Sequence, residues 1–68
     1  MGVNTVLVIR YNADDVELER ERCSFEPTVY WALVEKWLKV EGTAKVKVEQ
    51  IDSSDTCVFC YFVTPEAA

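Results

Sequence analysis

The chain of 68 residues has no histidine, so it lacks the side chain that changes charge near neutral pH and the commonest metal ligand. Neither a conventional general base nor a histidine metal site is expected. Cations are also scarce: Lys and Arg number 7 against 12 Asp and Glu, giving a net charge of −5. Phosphate-backbone affinity rests on Lys and Arg contacts, so no nucleic-acid partner is expected, whereas a basic protein partner would suit the charge. With 2 glycines, well separated, the chain cannot build a phosphate-cradling loop. No apolar run approaches the ~20 residues that cross a bilayer. The apolar stretch at residues 6–9 is shorter than a signal-peptide core and has no basic residues before it. With an odd set of 3 cysteines, a reducing, cytoplasmic location away from membranes is the expectation.

What is present describes a folded protein. Half the residues are apolar and 12% are aromatic, which argues against disorder. The length fits one domain, residues 1–68, with a frayed tail at 65–68. It also lies near the size at which one core barely offsets the ordering cost of roughly 1.5 kcal/mol per residue, where a second copy often helps.

Helical periodicity is confined to residues 25–41. Ser24 suits an N-cap, Glu26 and Pro27 suit the first turn, Lys39 the last turn and Gly42 the C′ position. At about 100° per residue, Val29, Tyr30, Leu33, Val34, Trp37, Leu38 and Val40 form an apolar arc of roughly 200°, wider than one sheet face can cover. Either a rim residue, Trp31 or Tyr30, should therefore stay partly exposed, or something else covers it.

The remainder reads as four strands. Residues 3–11 are apolar on both faces, which places them centrally in a sheet. After a turn at 12–15, residues 16–22 alternate Val16, Leu18, Arg20 and Arg22 with Glu17, Glu19 and Glu21, the pattern of a charged edge strand. Residues 44–51 alternate valine with Lys45 and Lys47, again as an edge, and residues 56–64 are apolar on both faces. The order of burial predicts an α+β fold, a ββαββ two-layer with one helix on a four-stranded mixed sheet of order 2-1-4-3, its central pair parallel and joined through a right-handed crossover.

That layout resembles the β-grasp fold of ubiquitin-like proteins and of the immunoglobulin-binding domains of streptococcal protein G. The resemblance covers the order of elements and no sequence motif. A ubiquitin-like carrier whose tail is processed elsewhere is a further reading that the resemblance implies, since such carriers end in Gly-Gly and the sequence here reads Thr64-Pro65-Glu66-Ala67-Ala68.

One helix covers one sheet face. With Leu7, Ile9, Val16, Leu18, Val46, Val48, Phe59 and Tyr61 toward the helix, alternation sends Val6, Val8, Val58, Cys60 and Phe62 to a bare apolar back. Those five and Trp31 are the expected interface residues of a homodimer, and the protein is expected to be a small non-catalytic protein-interaction module. The alternative is an acidic edge, Asp14, Asp15, Glu17, Glu19 and Glu21, that mimics nucleic acid and blocks a basic enzyme. No catalytic, cofactor-binding or metal residues are expected. The serines have no base to activate them. Cys57 and Cys60 have C-x-x-C spacing, but in a regular strand residues three apart face opposite sides.

Overall fold

The computed structural model describes residues 2–65; of the expected frayed tail, only Pro65 falls within them. The elements are β1 (Val3–Tyr11), β2 (Glu17–Ser24), α1 (Pro27–Leu38), β3 (Lys45–Asp52) and β4 (Cys57–Val63). The protein is α+β, with one helix and a four-stranded sheet.

The sheet order is β2-β1-β3-β4 and every neighbouring pair is antiparallel. This corrects the expected order 2-1-4-3 and the parallel central pair. The cause lies where the helix hands the chain back: the Ala44 N–H donates to the Tyr11 carbonyl at 2.8 Å, and Lys45 then lies opposite Tyr11. β3 thus starts where β1 ends and runs back beside it, taking the place that β4 would occupy in a β-grasp sheet. The β-grasp likeness stops at the order of elements.

The two hairpins are built alike. Asn12 Oδ1 accepts from the Asp14 and Val16 amides at 2.8 and 3.0 Å, and Asp52 Oδ1 accepts from those of Ser54 and Thr56 at 2.9 and 3.1 Å. Asp15 and Asp55 close the turns with φ of 63° each, a left-handed conformation that Asp tolerates better than most residues. The likeness extends through the ladders. Val8 pairs with Glu21 as Val48 pairs with Tyr61, Val6 with Cys23 as Val46 with Val63, and Arg10 with Glu19 as Gln50 with Phe59. Val8 lies opposite Val48. The sheet therefore has an internal two-fold between these valines, relating each residue of the first hairpin to the one 40 positions later (8 to 48, 21 to 61). Each outer strand has a bulge at the corresponding place, Leu18 in β2 and Val58 in β4.

The helix breaks this symmetry. It starts at Pro27 with Glu26 as N-cap and ends with Lys39 as C-cap. Ser24, expected as the cap, is instead the last residue of β2, opposite Thr5. Gly42 takes φ 91° in the turn after the helix rather than at its C′ position. Tyr30, Val34, Trp37 and Leu38 bury against Val6, Val8, Val46 and Val48, with Cys23, Leu33, Tyr61 and Val63 around them. Small valines beneath large helix side chains let two layers close to interior density. Of the two candidate rim residues, Trp31 is the exposed one and Tyr30 is buried.

β1 therefore presents the opposite face from the one expected. Val6 and Val8 lie under the helix, fully buried, and are not interface residues. Leu7 and Ile9 point to the sheet back, where with Ile51 they form a second small core. That back has no second layer, yet its centre is not bare: Leu7 is flanked by Arg22 and Glu49, and Ile9 by Arg20 and Lys47. Long cationic side chains shield apolar neighbours with their methylene stems while the charge stays in water.

Candidate interaction surface

β4, Cys-Val-Phe-Cys-Tyr-Phe-Val, is an edge strand paired on one side only and has neither a charge nor a proline. α1 packs over β1, β2 and β3, so β4 stays largely uncovered; Val58, Phe59 and Phe62 are 55%, 55% and 51% exposed. The opposite edge, β2, carries Glu17, Glu19, Arg20, Glu21 and Arg22. Edge strands present unpaired N–H and C=O groups and are commonly protected by charge, proline or bulges. β2 has the first protection; β4 has only the bulge at Val58, leaving residues 59–63 regular.

Aromatic rings extend this edge onto both faces. On the back, Phe62 meets Tyr11 at 6.2 Å between centroids, and the Lys45 and Lys47 ammonium groups lie 4.6 and 5.9 Å from the Phe62 ring. On the helix side, Phe59 meets Tyr61 at 5.6 Å, and Tyr30 stacks with Phe25 and Trp31 at 6.3 Å each. Burial, then the Tyr30 hydroxyl, pushes the Tyr61 phenol up. Of the expected interface residues, Val58, Cys60, Phe62 and Trp31 are exposed. Phe59, expected among the residues packed toward the helix, is exposed instead because β4 lies at the edge beyond the helix; Phe25, also exposed, carried no interface expectation.

The bulge also moves a cysteine. Cys57 lies opposite Ile51 and Cys60 opposite Glu49, and Ile51 and Glu49, two apart on β3, share the back face. Cys57 and Cys60 therefore point to the same side, correcting the separation expected of a regular strand. Partial desolvation by its neighbours foremost, then the Cys60 and Glu49 charges, push the exposed Cys57 thiol up, while Lys47 acts in the opposite direction. All three cysteines are free thiols. Cys23, half buried beside the helix, is pushed up by burial and then by Glu21.

The acidic edge is divided rather than continuous. The bulge at Leu18 leaves Glu17 opposite Tyr11 on the back while Glu19 pairs with Arg10 on the helix side. Most of the acids are also engaged: Asp15 meets Lys45 at 2.6 Å, Glu17 meets Arg20 at 2.7 Å and Glu19 meets Arg10 at 2.8 Å. The Arg20 hydrogen bond holds the Glu17 carboxyl below the usual carboxylate range. Asp14 and Glu21 form no ion pair among the described residues. On the back, Arg20, Arg22, Lys45 and Lys47 are matched by Glu17, Asp55, Asp15 and Glu49, so the net negative charge of the chain resides elsewhere.

Among the described residues, no three His, Cys, Asp or Glu side chains are grouped to hold a metal ion, and no helix is long and apolar enough to cross a membrane. A shallow recess is lined by Glu35, Leu38, Lys39 and Pro65 and by no serine, threonine, cysteine or histidine. Compared with family models, with curated proteins and with solved structures, the chain finds no match.

Proposed function

We propose that this protein is a non-catalytic interaction module that self-associates edge to edge through β4. The observation that carries the reading is the contrast between its edges: one is charged along its length, the other apolar, uncharged and exposed. Two β4 strands, antiparallel about a two-fold at Tyr61, set Phe59 of one copy opposite Val63 of the other and Cys60 opposite Phe62. All those side chains are apolar, and the pairing satisfies the open backbone groups. The contact is isologous and uses up the one uncharged sheet edge among the described residues, so assembly closes at two copies instead of growing into a filament.

Sedimentation equilibrium from about ten to several hundred micromolar tests this, with hydrogen exchange across residues 59–63. A mass rising toward the dimer with concentration, and slowed exchange at alternate β4 amides, are expected. A monomer throughout that range would defeat the reading.

A second reading draws on the balanced charge of the sheet back, which leaves excess acid on the helix side and rim: an acidic surface for a basic, nucleic-acid-binding protein. Glu19→Lys with Glu21→Lys should abolish such docking in a salt-dependent way and leave β4 pairing intact.

A further inference from the structure

We propose that Cys57 and Cys60 form a two-thiolate clamp for a soft monovalent metal ion of the copper(I) or silver(I) class. The spacing alone would not make one; the extra residue Val58 does, by bringing both side chains to the back face in adjacent cross-strand rows. Those rows are about 6.7 Å apart, two residues at the rise of a strand. Side chains leaning toward each other across that interval bring their sulfurs to about 4 to 5 Å, the span of two metal–thiolate bonds of about 2.3 Å in line.

The internal two-fold supplies independent support. Its counterpart of Cys57 and Cys60 is Glu17 and Arg20, flanking the equivalent bulge at Leu18. There the two side chains do meet, through paired hydrogen bonds of 2.7 Å each. A bulge of this kind therefore places residues three apart on the same face of an outer strand.

Chemistry selects the ion. Hard cations want several oxygens and zinc wants four donors, whereas among the described residues no third ligand is grouped with these thiols. Thiolate pairs suit soft ions that accept two-coordinate binding. The site is open, since both cysteines are exposed. Binding replaces two thiol protons by one M⁺, releasing two H⁺ and leaving a bis-thiolate complex of charge −1. No electron transfer is involved when the ion is supplied as copper(I).

The test is anaerobic titration with copper(I) in competition with a chromophoric copper(I) chelator. Wild type and Cys23→Ser should bind one ion per chain. Cys57→Ser and Cys60→Ser should each bind on the order of 10²- to 10⁴-fold more weakly, the loss expected when a second linked contact is removed. The decisive variant is Cys57→Ser with Phe59→Cys, which keeps two thiols on β4 but places one on the opposite face; it should bind no better than Cys57→Ser, with circular dichroism confirming its fold. Equal affinity in wild type and Cys57→Ser, or wild-type affinity in the double variant, overturns the clamp. The clamp is separate from β4 pairing, because a monomeric Phe62→Glu variant should still take up one ion.

Discussion

Phe62→Glu separates folding from association. The Phe62 ring is half exposed, lies opposite Lys47 and sits near two ammonium groups at 4.6 and 5.9 Å. In the monomer, glutamate at this position exchanges exposed cation–π contacts of about 0.5–1 kcal/mol for exposed cross-strand ion pairs of similar size. Losing the half of the ring already buried costs about 2.5 kcal/mol, so monomer stability should fall by about 2–3 kcal/mol. Association responds differently. A half-exposed phenylalanine still presents roughly 100 Å², and removing that from water contributes about 2.5 kcal/mol. The two-fold counts the loss twice, so the ceiling is about 5 kcal/mol, and partial coverage leaves about 3 kcal/mol or more. At about 1.4 kcal/mol per decade, dimer affinity should fall at least roughly a hundredfold. Sedimentation equilibrium gives the association constant and urea denaturation of dilute protein gives monomer stability. A folded Phe62→Glu protein that dimerises as well as wild type would refute pairing through β4.

Three further outcomes follow from the core, the turns and the buried thiol. Trp37→Ala, which removes a side chain left only 5% exposed, should cost about 3–5 kcal/mol and leave the chain largely unfolded in urea titrations at 25 °C, because a domain this small has little more stability than that. At Asp55, φ 63°, a valine should cost about 1–2 kcal/mol through its β-carbon, whereas glycine should change stability by less than about 1 kcal/mol in either direction; the urea midpoints of the two variants check this. Cys23 and Tyr61 both have pKa values raised by burial from ordinary values of 9.0 and 10.0. The fold therefore favours their neutral forms: their contribution is complete below those ordinary values and is lost as pH rises through the raised ones. The urea midpoint should fall on the alkaline side, and Cys23→Ala should flatten the part due to the thiol.

Strand boundaries were legible because each rests on local chemistry. The strand at residues 3–11 matches β1 and the other strands shift by a residue or two at each end, while the helix, expected over 25–41, is shorter at both ends, with other caps than Ser24 and Gly42. The central place of β1 also followed, since a strand apolar on both faces needs neighbours on both sides. Pairing partners were not legible by the same rule. β4 is apolar on both faces yet lies at an edge, and β3 carries Lys45 and Lys47 yet lies inside. Two-sided hydrophobicity signals burial only when something covers the strand. Lysines are admissible on a central strand when the back of the sheet has no second layer, because their stems can shield the apolar residues beside them. Reading β3 as an edge treated the missing layer as if it were present.

The bulges were illegible for a related reason. Leu18 and Val58 are ordinary strand residues, and what makes them extra is the register that each five-residue turn imposes on its hairpin. Nor does the internal two-fold show in composition: among its related positions, valine recurs at 6 and 46 and at 8 and 48, and aspartate at 15 and 55, while the outer strands have diverged from Glu-Leu-Glu-Arg-Glu-Arg to Cys-Val-Phe-Cys-Tyr-Phe. The conserved geometry is backbone geometry, fixed by two Asx turns and four buried valines, and it tolerates opposite chemistry on its two outer strands. One hairpin therefore closes its side of the sheet with charge, and its counterpart leaves the other side open. Exchanging the two outer-strand sequences should keep the turns, the bulges and the helix-side valines in place, and should move self-association from the β4 edge to the β2 edge.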